Sequence, residues 1–365
     1  MGGLTGEIGA LRQRIADWQG PPVTFMEVCG THTMAIARIG LKALLPPSVR
    51  LVSGPGCPVC VTPVGYVDHA LALAERPEVI LTTFGDLMRV PGSAAPGRPP
   101  RNLLRVKALG GDVRVVYSPT GALDVARDHP EREVVFLGVG FETTAPVVAA
   151  TLLAARRMSL ANFSVLGAHK TIPEAMAALA SSDELGLDGF LCPGHVSVVL
   201  GEAPYRFLAD ELGLACAIGG FEAVEVLRAL VALLDQVESG SPTVDNCYPA
   251  AVRPDGNPRA RAAIYEVFEP EDCRWRGLGV IPGSGLGHRP EFAAWDASQR
   301  FDVELPDPVE PRGCRCGDVL RGLVDPADCP LFGRACTPES PVGACMVSSE
   351  GSCAARFHYT RRGEG

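Results

Sequence analysis

Eight short apolar runs, each ended by a glycine-bearing or polar turn, constrain this chain more than any other feature. They cover residues 23–28, 49–53, 79–83, 113–117, 134–139, 163–167, 189–191 and 214–218, with helical segments between most of them. Runs this short, strung between helices, suit strands buried on both faces of a mostly parallel sheet. The fold class expected is therefore α/β. In open sheets of this kind, sites are built at the carboxyl ends of the strands. Six polar turns fall there: Thr83-Phe84-Gly85-Asp86, Ser118-Pro119-Thr120-Gly121, Gly140-Phe141-Glu142-Thr143-Thr144, Gly167-Ala168-His169-Lys170, Cys192-Pro193-Gly194-His195 and Gly219-Gly220-Phe221-Glu222.

Leu4, Leu11, Ile15 and Trp18 recur at helical spacing, so the chain opens with an amphipathic helix stopped by Gly20-Pro21-Pro22. Residues 91–100, rich in Pro, Gly and Ala, read as a surface excursion. A long helix follows Phe221, after which residues 240–313 turn irregular, with one helix expected around 259–267. The stretch from Trp275 to Gly285 has neither the Lys-Ser/Thr of a phosphate loop nor the glycine order of a dinucleotide fingerprint, and reads as a packed turn.

At 365 residues the chain exceeds one core, and two or three domains are expected. A net charge of -9 without any basic stripe disfavours nucleic-acid binding. No apolar run approaches the roughly 20 residues of a membrane span. The first ten residues lack the charged and apolar regions of a secretory signal, and Gly6 stands where a myristoylation motif wants Ser or Thr. The expected setting is the cytoplasm. Thirteen cysteines in a reducing compartment point to metal or redox chemistry rather than a disulfide framework.

Cys29 ends the first apolar run, Gly30 lets the backbone turn, and His32 follows close enough to serve as base, donor or second metal ligand. Cys57-Pro58-Val59-Cys60 sits at a strand-to-helix turn, where a helix N-terminus lowers a thiol's pKa and a pair can close a disulfide or share a metal. The tail holds Cys314, Cys316, Cys329, Cys336, Cys345 and Cys353. Four thiolates ligate a [4Fe–4S] cluster, which leaves two for an adjacent dithiol. Zinc is the rival, although its structural sites usually carry paired Cys-x-x-Cys knuckles that this tail lacks. Cys192 opens a Pro-Gly-His turn, and Cys216, Cys247 and Cys273 are assigned to packing.

Cys29-Gly30-Thr31-His32, Gly54-Pro55-Gly56-Cys57-Pro58-Val59-Cys60, Gly140-Phe141-Glu142-Thr143-Thr144-Ala145-Pro146, Pro193-Gly194-His195-Val196-Ser197, Trp275-Arg276-Gly277-Leu278-Gly279 and the six-cysteine tail occur in this order along nearly the whole chain. Together they resemble the HypD family of hydrogenase maturation factors. The resemblance implies a role in building the Fe(CN)2CO group of [NiFe]-hydrogenases. It implies iron held between Cys29 and the N-terminal cysteine of a small HypC-type chaperone, with cyanide arriving from a HypE-type partner. The implied fold has two similar parallel-sheet α/β domains with a cleft, here 48–128 and 129–239. A third domain, formed by 1–47 with 240–365, would enclose the cluster.

That cluster region is in turn similar to ferredoxin:thioredoxin reductase, where a disulfide lies against the cluster. By that likeness Cys314, Cys329, Cys336 and Cys353 are the cluster ligands, and Cys316 and Cys345 the redox pair. Cys57 and Cys60 are expected to hold iron or to pass electrons by thiol–disulfide exchange. Two functions of different class follow. One is an assembly scaffold for iron and its diatomic ligands. The other is an iron–sulfur-linked thiol–disulfide oxidoreductase, which has no need of Cys29 or His32.

Overall fold

The eight apolar runs become strands in the computed structural model, which describes residues 2–93, 101–182 and 184–360, the side chains of residues 2–4 and 360 excepted. The Leu4 side chain and the 94–100 part of the expected excursion lie outside the described residues. Strands β1 (Val23–Glu27), β2 (Val49–Ser53), β3 (Val79–Thr83), β4 (Val113–Val115), β5 (Glu133–Gly140), β6 (Phe163–His169), β7 (Gly189–Cys192) and β8 (Ala215–Ile218) match the sequence reading closely. Three more were not anticipated: β9 (Val244–Asn246), β10 (Phe268–Trp275) and β11 (Gly279–His288).

Among the described residues the strands form three sheets. One has the order β2-β1-β7-β8-β9 and another β4-β3-β5-β6, while β10 and β11 make a hairpin. Every pairing in the two larger sheets is parallel, as expected for strands joined through helices. All five residues of β3 are buried, which is why the run Val-Ile-Leu-Thr-Thr shows no alternation. The sheets cut across the ranges 48–128 and 129–239. The β4-β3-β5-β6 sheet is one contiguous stretch of chain, whereas the other joins β1 and β2 to β7, with Phe25 opposite Gly189.

The hairpin replaces the irregular segment expected there. The Trp275-Arg276-Gly277-Leu278-Gly279 motif makes its turn, with Gly277 at φ 82° and Gly279 at φ 79°. An isolated bridge from Lys170 to Gly285 ties β11 to the end of β6. The opening helix Gly2–Ala16 packs on the amphipathic helix Ala223–Ser239, joined by ion pairs from Arg14 to Asp235 and from Arg228 to Glu7. Helix Ala223–Ser239 starts in a capping box of Glu222 and Glu225, which ties down donors that would otherwise lack partners. Beyond residue 301 the chain makes short turns, Cys316–Leu320, Pro326–Asp328 and Ala344–Met346, before helix Ser352–Thr360 packs against helix Gly30–Arg38. Among the described residues no helix is long and apolar enough to cross a membrane.

Candidate functional site

The carboxyl ends of both larger sheets face one cavity of about 260 Å³. From the first sheet come Cys29 and Thr31 after β1, Gly56, Pro58 and Val59 after β2, and His195 after β7. From the second come Phe84 and Asp86 after β3, and Phe141, Thr143 and Thr144 after β5. Glu350, from the cysteine-rich tail, closes the wall. Three of the six polar turns thus converge here. The turns at 118–121, 167–170 and 219–222 do not line it.

Cys29 is extended, with φ -141° and ψ 120°, and immediately precedes helix Gly30–Arg38. Its amide donates to Glu27 Oε2 at 3.1 Å. Burial pushes the thiol up to about 12; the amides of His32 and Thr31 pull it down, and the carboxyls of Glu27 and Glu350 push it up. A buried thiol facing carboxyls gives up its proton readily only when a cation arrives to take the charge.

Two glycines set this geometry. A Cβ on Gly56 would stand 2.3 Å from the Cys29 nitrogen, and one on Gly30 would stand 2.4 Å from Glu350 Cβ. Only bare backbone brings the Cys57 turn and Glu350 this close to Cys29. Thr31 Oγ1 donates to Glu350 Oε1 at 3.0 Å and lies 3.5 Å from His195 Nδ1. Burial holds the carboxyls of Asp86 and Glu350 above their usual range, and Asp86 adds to the effect on Glu350.

His32 is placed differently from the sequence expectation of a group beside the thiol. It is fully buried, and its Nε2 donates to the carbonyls of Gly220 at 2.9 Å and Gly219 at 3.1 Å. Two carbonyl partners fix the proton on Nε2 and leave Nδ1 as a buried acceptor without a partner among the described residues. Burial pushes the imidazole down to about 4, so it is neutral. Its ring packs on Phe221, centroids 4.8 Å apart, and Phe221 stacks on His195 at 4.1 Å. His195, not His32, is the histidine in the cavity wall.

Cys57 and Cys60 form a disulfide with Cα atoms 5.3 Å apart, both buried. Cys57 caps the short helix Pro58–Val61 and its sulfur accepts from the Cys60 amide at 3.2 Å. That helix packs against the turn carrying Cys345 and the helix opened by Cys316. All six tail cysteines line a second pocket, walled by Val319, Leu331, Phe332 and Met346. Cys316 Sγ and Cys345 Sγ stand 2.7 Å apart, and the Val342 amide donates to Cys336 Sγ at 3.3 Å. The Cys316 thiol is held low, first by hydrogen bonds from Cys314 and Cys345 and then by the Arg276 charge. Arg276 arrives from the hairpin turn, where a Cβ on Gly277 would stand 2.5 Å from Gly317 Cα. Among the described residues no group of three or more His, Cys, Asp or Glu side chains is set around a single metal ion.

Residues 7–360 match the HypD family, described as "Hydrogenase formation hypA family". The chain belongs to this family of hydrogenase maturation proteins. It is 46% identical over 366 residues to the hydrogenase maturation factor HypD of Cupriavidus necator, covering 97% of this chain and 95% of that protein. Against HypD of Rhizobium leguminosarum the identity is 47% over 344 residues, 92% of this chain and 88% of the relative. Against HypD of Escherichia coli it is 44% over 342 residues, 93% and 90% respectively.

The sequence reading missed Asp86, His195 and Glu350 as site residues. The first two carried a signal, since both stand in polar turns at strand ends. Glu350 carried none; it lies among the tail cysteines and reaches the cavity only through the packing of the chain's two ends.

Proposed function

We propose that this chain is the scaffold on which iron acquires its cyanide and carbon monoxide ligands during [NiFe]-hydrogenase maturation. The observation that carries the proposal is the shared wall: the Cys29 thiol and the Cys57–Cys60 turn border one cavity, with the six-thiol pocket directly behind. Iron is cargo here. A soft thiolate suits low-valent iron with strong π-acceptor ligands, and we assign Cys29 that role, opposite the N-terminal cysteine of a HypC-type chaperone. Cyanide arrives from a HypE-type partner. Asp86, Glu350 and Thr31 form the polar part of the cavity wall that the diatomic ligands would meet, and the apolar walls of Phe84, Phe141 and Val59 keep water from the complex.

His32 acts from behind, by fixing the turn at Gly219 and Gly220. The tail pocket suits a resident [4Fe–4S] cluster by the chemistry of its donors: six thiols, apolar walls and an amide aimed at a sulfur. We assign Cys314, Cys329, Cys336 and Cys353 to hold it, and when bound it would supply single electrons. Cys316 and Cys345 lie between that pocket and the Cys57–Cys60 helix, where they suit a dithiol that passes electrons onward.

The disulfide and the close Cys316–Cys345 contact also favour a second reading, an iron–sulfur-linked thiol–disulfide oxidoreductase. The infrared spectrum of the protein purified with its chaperone separates the two. Cyanide and carbonyl stretches are expected in the wild type and absent from Cys29→Ala, which keeps its iron–sulfur absorbance. Retained iron-bound cyanide in Cys29→Ala overturns the assignment of Cys29. A silent spectrum in the loaded wild-type complex, with disulfide reductase activity present, favours the oxidoreductase.

A further inference from the structure

One buried cation has no part in the chemistry above. Lys170, at the end of β6, is 1% exposed and ranks among the largest fully buried side chains. A buried ammonium is costly unless it is paired. Among the described residues its one hydrogen bond goes to Cys273 Sγ, at 3.0 Å. Nζ also lies 5.6 Å from the centroid of the Trp275 ring. Glu271 feels the Lys170 charge but forms no ion pair with it among the described residues.

Its partner, by contrast, is not fully buried. Cys273 is partly exposed, on β10 beside the register shift between Glu271 and Cys273. A bulge of this kind re-aims a side chain. The residue thus combines a buried proton donor with partial exposure.

We propose that Cys273 and Lys170 form a peroxide-reactive thiol site, in which Cys273 is the nucleophile and Lys170 the proton donor. The thiolate, held by the ammonium, attacks one oxygen of hydrogen peroxide or a small alkyl hydroperoxide. An S–O bond forms and the O–O bond breaks. The departing hydroxide or alkoxide takes a proton from the Lys170 ammonium and leaves as water or alcohol. Sulfur is oxidised by two electrons to a sulfenic acid, and the peroxide is reduced by the same two. A neutral Lys170 amine remains.

Cys247 supplies an internal control, because it is also partly exposed, while burial pushes its thiol up to about 11. The full chain, its other cysteines untouched, is exposed to hydrogen peroxide at pH 7 in the presence of a cyclic 1,3-dione, and adducts are mapped by peptide mass spectrometry. An ordinary thiol is a few per cent thiolate at pH 7, so Cys273 should react about ten-fold or more faster than free glutathione measured under the same conditions, while Cys247 should react more slowly than glutathione. Lys170→Met, which keeps the length of the side chain without its charge, should lower the Cys273 rate about ten-fold and leave Cys247 unchanged. A Cys273 rate in the wild type no higher than that of glutathione overturns the proposal and needs no variant. An unaltered Cys273 rate in a folded Lys170→Met overturns the role of Lys170.

Discussion

Glu27 offers a test of the electrostatics around Cys29 whose sign and size follow from the structure. Its carboxyl is fully buried, with Oε2 accepting from the Cys29 amide and Oε1 from Thr33 Oγ1 at 2.6 Å. Burial raises it from 4.5 to about 7, against opposing hydrogen bonds from Ser53 and Thr33 and the charge of Lys42. At about 1.4 kcal/mol per pH unit, that rise is worth about 3 kcal/mol. Below pH 4.5 the carboxyl is protonated in both folded and unfolded chains. Between 4.5 and 7 the unfolded chain releases its proton while the folded one keeps it, so the stability contribution is lost as pH rises through about 7.

Glu27→Gln removes this titration. The amide NH2 cannot accept from the Cys29 amide or Thr33, a loss of about 1 kcal/mol. The variant should therefore be about 1 kcal/mol less stable than wild type near pH 4.5 and about 2 kcal/mol more stable above pH 7.5. Urea unfolding followed by tryptophan fluorescence at several pH values gives the difference, in which all other titrations cancel. A difference that stays flat from pH 4.5 to 7.5, or moves the other way, refutes the reasoning.

Two further outcomes are expected. Replacing each tail cysteine by Ser should remove the iron and the thiolate-to-iron absorbance at Cys314, Cys329, Cys336 and Cys353, but not at Cys316 or Cys345; loss at either of the last two overturns the partition. Gly277→Ala places a Cβ against Gly317 in a backbone with φ 82°. Strain of about 1–2 kcal/mol and overpacking of similar size should lower stability by about 2–4 kcal/mol in urea unfolding, and wild-type stability would show that the hairpin turn yields.

The strands were legible because burial on both faces leaves a mark in composition. Val79–Thr83 is apolar or β-branched throughout, and it is buried throughout. The cysteines were legible because their chemistry is rare. What periodicity cannot report is which strands become neighbours: nothing local marks Phe25 as the partner of Gly189. The hairpin was hidden for another reason. β10 carries Glu269, Pro270, Glu271 and Asp272 in its middle, a mostly exposed stretch that reads as loop, and β11 is full of glycine. His32 was placed beside Cys29 by spacing alone, but the helical turn that starts at Gly30 carries its ring to the carbonyls of Gly219 and Gly220.

The strand order β2-β1-β7-β8-β9 also has a consequence in time. On the ribosome the β4-β3-β5-β6 sheet, drawn from one stretch of chain, can close early. β1 has only β2 beside it until β7 emerges, more than a hundred and fifty residues later. At about 5–20 residues per second the delay is on the order of ten seconds or more. For that interval Cys29 stands on a growing chain without β7 or the tail to cover it, open to stray metals and oxidants. The neighbourhood that holds Cys29 is complete only after Glu350 has been made, so the cavity is among the last parts of the molecule to take shape.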